Sequence, residues 1–345
     1  MKFIKKHPKF CAVVGALIAV LAILAVIARH QTLSNTTEMK LANNPRMDKV
    51  FTDTFYSDQL NEKERAAYDM IIERMERKEG GVIEFKEPLT GREYTRIITA
   101  IQNEGGGYFY AFCDIPLNQD DIYLEYDGTK LLDIKEAEVA KVILFVSCSE
   151  GINEFGTYAE DGTVRNLDEI AELMPKINAD KLAEIEADEA AVLAELDEII
   201  AGIPKDAGEK DTLNYFMDWI AENIEYHSEL SMEATKFTTM EEVVDIAYRG
   251  STTACVLEGE ATMLGYTKLL SYLCNQAGME SHVELGSWGR NGQEGYTMTV
   301  VKINGENIYV DASGVKSSKL AGNRYLNEQE ALTHMNRVEY FNYDE

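Results

Sequence analysis

Nineteen consecutive uncharged residues, FCAVVGALIAVLAILAVIA from Phe10 to Ala28, constrain this chain more than any other feature. As a helix rising about 1.5 Å per residue, the run nearly matches the roughly 30 Å hydrocarbon core of a bilayer. Lys2, Lys5, Lys6 and Lys9 precede it, and basic flanks stay on the cytoplasmic side. The expected layout is a cytoplasmic tail at 1–9, a transmembrane signal anchor at 10–28, and the remainder outside the cell membrane. A cleaved signal peptide is the rival reading, because Val26-Ile27-Ala28 satisfies the small-residue rule for cleavage. Signal-peptide apolar regions usually run about 7–15 residues, which favours the uncleaved, single-pass anchor. No lipobox-like cysteine follows the run, which argues against a lipoprotein.

Charge separates the two sides of this segment. Residues 1–30 hold five of the 33 basic residues and no acid, leaving 28 bases against 60 acids, a net of −32, beyond residue 30. Such a surface repels nucleic acid, whose phosphates need clustered Lys and Arg. Solubility alone accounts for the excess, with binding of cationic ligands as the sharper alternative. The five cysteines (Cys11, Cys113, Cys148, Cys255, Cys274) include no CxxC pair, and the five histidines show no zinc-ligand spacing. No metal or cofactor is expected.

Residues 29–47 are polar and aperiodic and read as a tether. A small α+β domain is expected over 48–150. Asn61 with Glu64 makes a capping-box pattern ahead of a helix, and Arg92–Asn103 allows a second. Strand-like runs fall at 108–113, 122–126 and 142–147, with Asp127-Gly128 as a hairpin signal. From Asn166 to Ala201 helix dominates, interrupted near Pro175, with Leu182, Ile185, Val192, Leu196 and Ile199 on one face. Another helix spans roughly Asp211–Tyr226.

The next stretch is more specific. Glu258–Ala277 reads as a helix stopped by Gly278. Strands follow at His282–Gly286, Tyr296–Ile303 and Asn307–Asp311, the last two joined by Asn304-Gly305. A helix packed on an antiparallel sheet is the expected core, giving an α+β fold class.

The segments LEGEATMLGYTKLLSYLCNQAGMESHVELG and YTMTVVKINGENIYVDAS, with the upstream helix FMDWIAENIEYHSEL, resemble the bacterial transglutaminase-like superfamily over roughly residues 180–315. That family shares its fold with papain-type cysteine peptidases, and the resemblance implies a transglutaminase-like domain over 165–345. Its pattern has a Cys opening the core helix in a C-x-G-Y-A context, a His opening the hairpin, and an Asp closing it. A helix-terminal thiolate beside an imidazole oriented by a carboxylate performs acyl transfer to an amine or to water.

In register, the nucleophile position falls on Met263 and the histidine position on Tyr296, while Asp311 is kept. A thioether cannot ionise to a nucleophile, and a phenol with pKa near 10 is a poor base. The vestigial positions therefore imply a pseudoenzyme. Met263 also falls at helical spacing with Tyr266, Leu270 and Leu273, as a core filler would. Tyr296 reads either as a strand aromatic or as a hydrogen-bond donor toward Asp311 that closes the former cleft. A relocated set of Cys255, His282 and Asp311 has the right residue types, although Cys255 lies eight residues before Met263.

The expected function is a catalytically inactive binding or scaffold module at the cell surface, for a peptide, cell-wall or surface-protein ligand. The alternative is a cysteine-dependent acyltransferase or peptidase-like hydrolase using Cys255. A third view gives partner binding to the acidic N-terminal unit.

Overall fold

In the computed structural model the described residues are 53–105, 110–114, 123–126, 129–132, 138–149, 176–227, 248–288, 294–313, 325–338 and 340–343. The Phe10–Ala28 segment and the domain boundary expected between residues 150 and 165 lie outside them. Among the described residues, no helix is long and apolar enough to cross a membrane.

Two reciprocal caps organise the first part. The Asn61 side chain accepts from Glu64 N while the Glu64 carboxylate accepts from Asn61 N, starting α1 (Glu62–Glu76). After β1 (Gly81–Thr90), Thr90 and Glu93 repeat this arrangement at the head of α2 (Gly91–Glu104). Each box satisfies two otherwise orphaned backbone donors. The strands β2 (Ala111–Asp114), β3 (Tyr123–Tyr126), β4 (Thr129–Leu132) and β5 (Glu138–Val146) follow. An antiparallel sheet ordered β1-β5-β2 packs against both helices through Ile71, Ile97, Val142 and Leu144, while β3 and β4 pair separately. Residues 127–128, the hairpin signal, lie outside the described residues. β1 has no counterpart among the expected strands: its alternation breaks at a register shift between Glu84 and Leu89. That irregularity also accommodates Pro88, which cannot donate to a ladder.

The side chain of Asn178 caps α3 (Ala179–Ala201), whose Ile185, Val192, Leu196 and Ile199 point inward as the spacing required. Then come α4 (Glu209–Asn223), β6 (Glu225–Tyr226), α5 (Thr252–Leu257), β7 (Glu260–Ala261) and α6 (Met263–Gln276). The helix expected from Glu258 begins instead at Met263. Gly259 at φ +65° turns the chain, and residues 260–261 pair in parallel with β6. Cys255 sits inside α5.

The second sheet comprises β8 (Ser281–Trp288), β9 (Glu294–Ile303), β10 (Glu306–Val310) and β11 (Met335–Arg337), ordered β10-β9-β8-β11 and antiparallel throughout. Asn304 (φ 51°) and Gly305 (φ 84°) form the left-handed two-residue turn between β9 and β10. One sheet face carries Val301, Ile303 and Val310 into the core of α4 and α6, beside Phe216, Leu269 and Leu273. The other carries Tyr296, Met298, Val300 and Tyr309 against Leu326, Met335 and Ala331 of α7 (Glu328–Leu332). The described chain is thus a mixed α/β protein built on antiparallel sheets.

Candidate functional site

Met263, Tyr296 and Asp311 come together where α6 begins beside the open end of the β9–β10 hairpin. Met263 is the first residue of α6, and its sulfur accepts a hydrogen bond from Thr297 N at 3.3 Å. Its side chain packs with the Tyr296, Met298 and Tyr309 cluster. Tyr266, Leu270 and Leu273, with which it shares helical spacing, lie instead in the α6 core. Close docking of this helix end explains Gly265: a Cβ there would sit 2.9 Å from Ala261 Cβ and 3.0 Å from Ser251 O. Any side chain would push α6 away from the backbone at 249–251.

Tyr296 is the third residue of β9, and Asp311 follows β10 directly. Tyr296 Oη donates to Asp311 Oδ2 at 2.7 Å, while Ser313 Oγ donates to Asp311 Oδ1 at 2.7 Å. All three residues are buried. Burial, and then the carboxylate charge, hold the Tyr296 hydroxyl far above its ordinary pKa. A phenol so placed keeps its proton and serves as a donor to Asp311. Charge-assisted bonds of this length are strong and fix both partners. Among the described residues the cluster holds a thioether, a protonated phenol, a hydroxyl and a carboxylate, and no thiol or imidazole. Sequence reasoning missed Ser313. Its signal was the Asp-x-Ser spacing past a strand end, which lets a short hydroxyl reach back to the carboxylate.

The second set is not assembled. Cys255 is fully buried among the α6 core residues, and burial drives its thiol far above the ordinary range. His282 lies opposite Val300 in register, on the sheet face away from α6. Its ring stacks on Phe55 at 4.0 Å, and Nε2 is 3.4 Å from Glu284 Oε1. Asp311 is engaged by Tyr296 and Ser313. Cys148 and Cys274 are likewise buried free thiols.

Two charged networks escaped the sequence reading. Glu284, fully buried, accepts from Arg337 Nε at 2.7 Å and Nη2 at 3.1 Å, and Arg337 continues to Glu328 and Tyr309. Nearer α6, His227 Nδ1 lies 2.7 Å from Glu260 Oε1, and Arg249 reaches the same carboxylate at 3.3 Å. Both bonds lower the Glu260 pKa, that from His227 most.

No family model and no curated protein matches this chain. Solved structures do. A TGase matches at TM-score 0.32 and 12% identity, over 55% of this chain and 44% of its own. A provisionally assigned cysteine protease from Cytophaga hutchinsonii matches at TM-score 0.27 and 12% identity, over 59% of this chain and 65% of its own. A provisionally assigned protease from Parabacteroides distasonis gives TM-score 0.24 and 12% identity, over 58% of this chain and 37% of its own. The matched stretch is thus less than two thirds of each of those chains. The structural neighbours of this mixed α/β chain include a TGase and two proteins assigned as proteases.

Proposed function

We propose that this chain is a membrane-anchored, extracytoplasmic protein with a degenerate transglutaminase-like core, acting as a non-catalytic binding or scaffold module at the cell surface. The Tyr296–Asp311 hydrogen bond at 2.7 Å carries the reading. It joins two of the three family positions, and the third, Met263, touches the same cluster. On this reading the three positions are those of the family's triad, filled by side chains that are chemically wrong for one. A peptide or cell-wall segment is the ligand class suggested by the fold's ancestry.

Thiol mapping tests the loss of chemistry. In the folded chain, an alkylating probe should leave Cys148, Cys255 and Cys274 unmodified, and all three should label once the chain is denatured. Rapid labelling of Cys255 in the folded chain would restore the cysteine-enzyme reading. The anchor is tested separately by alkaline extraction of membranes. The full chain should remain with the lipid, and a chain lacking residues 1–28 should not. Release of both would remove the anchor from the account.

A further inference from the structure

One guanidinium ties together two remote segments of this chain. Arg96, on α2, is fixed by the buried Glu64 carboxylate, with Nε 2.9 Å from Oε1. Its Nη1 donates to Tyr340 O and its Nη2 to Gln59 O, and the guanidinium lies 4.6 Å over the Phe341 ring. Residues 53–59 and 340–343 therefore meet on a single side chain, although 283 positions separate Gln59 from Asn342. They also bind each other. Gln59 Nε2 donates to Asn342 O at 3.1 Å, Asn342 N donates to Gln59 Oε1 at 2.6 Å, and Phe341 meets the Tyr56 ring edge-on at 4.7 Å.

The first of these segments is seated on β8 and on α2. Tyr56 Oη accepts from Leu285 N at 2.9 Å, and Asp53 Oδ2 accepts from Val283 N at 3.2 Å. Ser57 N donates to the buried Glu104 carboxylate at 2.6 Å. Tyr56 and Ser57 are themselves fully buried.

Against these attractions stands one strained residue. Tyr340 has φ 86°, in the left-handed region that a bulky side chain rarely adopts. Arg92 lies 4.6 Å over its ring while Arg96 holds its carbonyl. Backbone strain of this kind persists only where surrounding contacts impose it. Letting go of Arg96 relieves it.

We propose that residues 53–59 and 340–343 form one latch, held shut by the Arg96 fork and loaded by Tyr340, which opens as a unit well short of unfolding. Opening bares Tyr56, Phe341 and the Val283 and Leu285 amides together. Such sub-global openings come from the least stable cooperative unit of a fold. The inference uses no residue of the Met263 cluster and stands apart from the reading of that cluster.

Hydrogen exchange in the full chain tests it. The amides of Ser57, Val283 and Leu285 should share one protection factor, lower than that of Leu270 and Leu273 in α6. Arg96→Lys keeps a charge for Glu64 and loses the planar fork, so it should lower all three by a common factor of about ten. Tyr340→Gly keeps the carbonyl and accepts the left-handed backbone without steric cost, so it should raise all three by about threefold. Opposite signs distinguish a loaded latch from ordinary packing, in which both substitutions lower protection. Phe341→Ala replaces Arg96→Lys, with the same expected direction, if that variant fails to fold. Three amides that respond separately, protection equal to that of α6, or protection lowered by Tyr340→Gly would each overturn the proposal.

Discussion

Replacing Lys268 with methionine should stabilise the folded chain by about 2 kcal/mol at neutral pH, an advantage that shrinks as the pH rises. Lys268 lies in α6 with only 6% of its surface exposed. Among the described residues its Nζ has one acceptor, Gly105 O at 3.5 Å, the cap residue at the C-terminal end of α2. The helix end supplies partial negative charge, and Asp53 adds to it. Burial outweighs these attractions and lowers the amine pKa from 10.5 to about 8. Below pH 8 the folded chain therefore carries the whole penalty of a buried ammonium group, about 3 kcal/mol for a shift of that size. From pH 8 to 10.5 the unfolded chain binds more protons than the folded one, so stability rises with pH through that window and the penalty fades.

Methionine removes the charge and nearly keeps the length. The Gly105 carbonyl loses a long hydrogen bond, which offsets about 1 kcal/mol of the gain. Buried Cys255 and Cys274, whose thiols are held protonated, weaken both proteins at alkaline pH and largely cancel from the difference. Urea unfolding of both proteins at neutral pH and near pH 10 reads this directly. A variant less stable at neutral pH, or a difference that does not change with pH, would show that the ammonium is paired better than its contacts imply.

The same lysine marks the limit of what the sequence made legible. Apolar spacing located α6, and Gly278 (φ 82°) ended it as expected. Asn304-Gly305 set the hairpin, and through it the register that placed Tyr296 fifteen residues before Asp311. The start of α6 was misplaced because Glu258–Thr262 suits a helix locally, whereas the β6–β7 pairing commits it to an extended path. Local propensity loses to tertiary pairing here. Periodicity also could not disclose the polar seam between α6 and the sheet. Thr267 bonds Thr297 at 3.2 Å, and Ser271 bonds Ser281 at 3.1 Å, all four of them buried. In sequence these residues look like solvent-facing positions. Only the partner strand shows that each hydroxyl is satisfied, which is the condition for burying it at small cost. The Glu284–Arg337 pair was invisible for a related reason, since 53 positions separate its members.

The second large effect concerns chemistry that can be restored. If Met263 and Tyr296 occupy the nucleophile and base positions, Met263→Cys in a Tyr296→His background should create an activated thiol. The cysteine would open α6, where the helix dipole favours a thiolate, with the new imidazole beside it and Asp311 available to orient the ring. Met263→Cys alone would face a protonated phenol and keep only the pull of the helix end on its thiol. The imidazole should lower the titration midpoint of that thiol by about two units, and adding Asp311→Ala should reverse part of the shift. At about pH 6 the larger thiolate fraction outweighs its lower intrinsic nucleophilicity, leaving alkylation about tenfold faster.

The pH profile of alkylation at position 263, compared between Met263→Cys and Met263→Cys/Tyr296→His, is therefore the most direct measurement of whether this chain holds a disarmed acyl-transfer site. A midpoint shifted down by about two units in the double variant, and partly restored by loss of Asp311, is the predicted result. Superimposable profiles would contradict it, because the three positions would then be neighbours in a core and not the remains of a site.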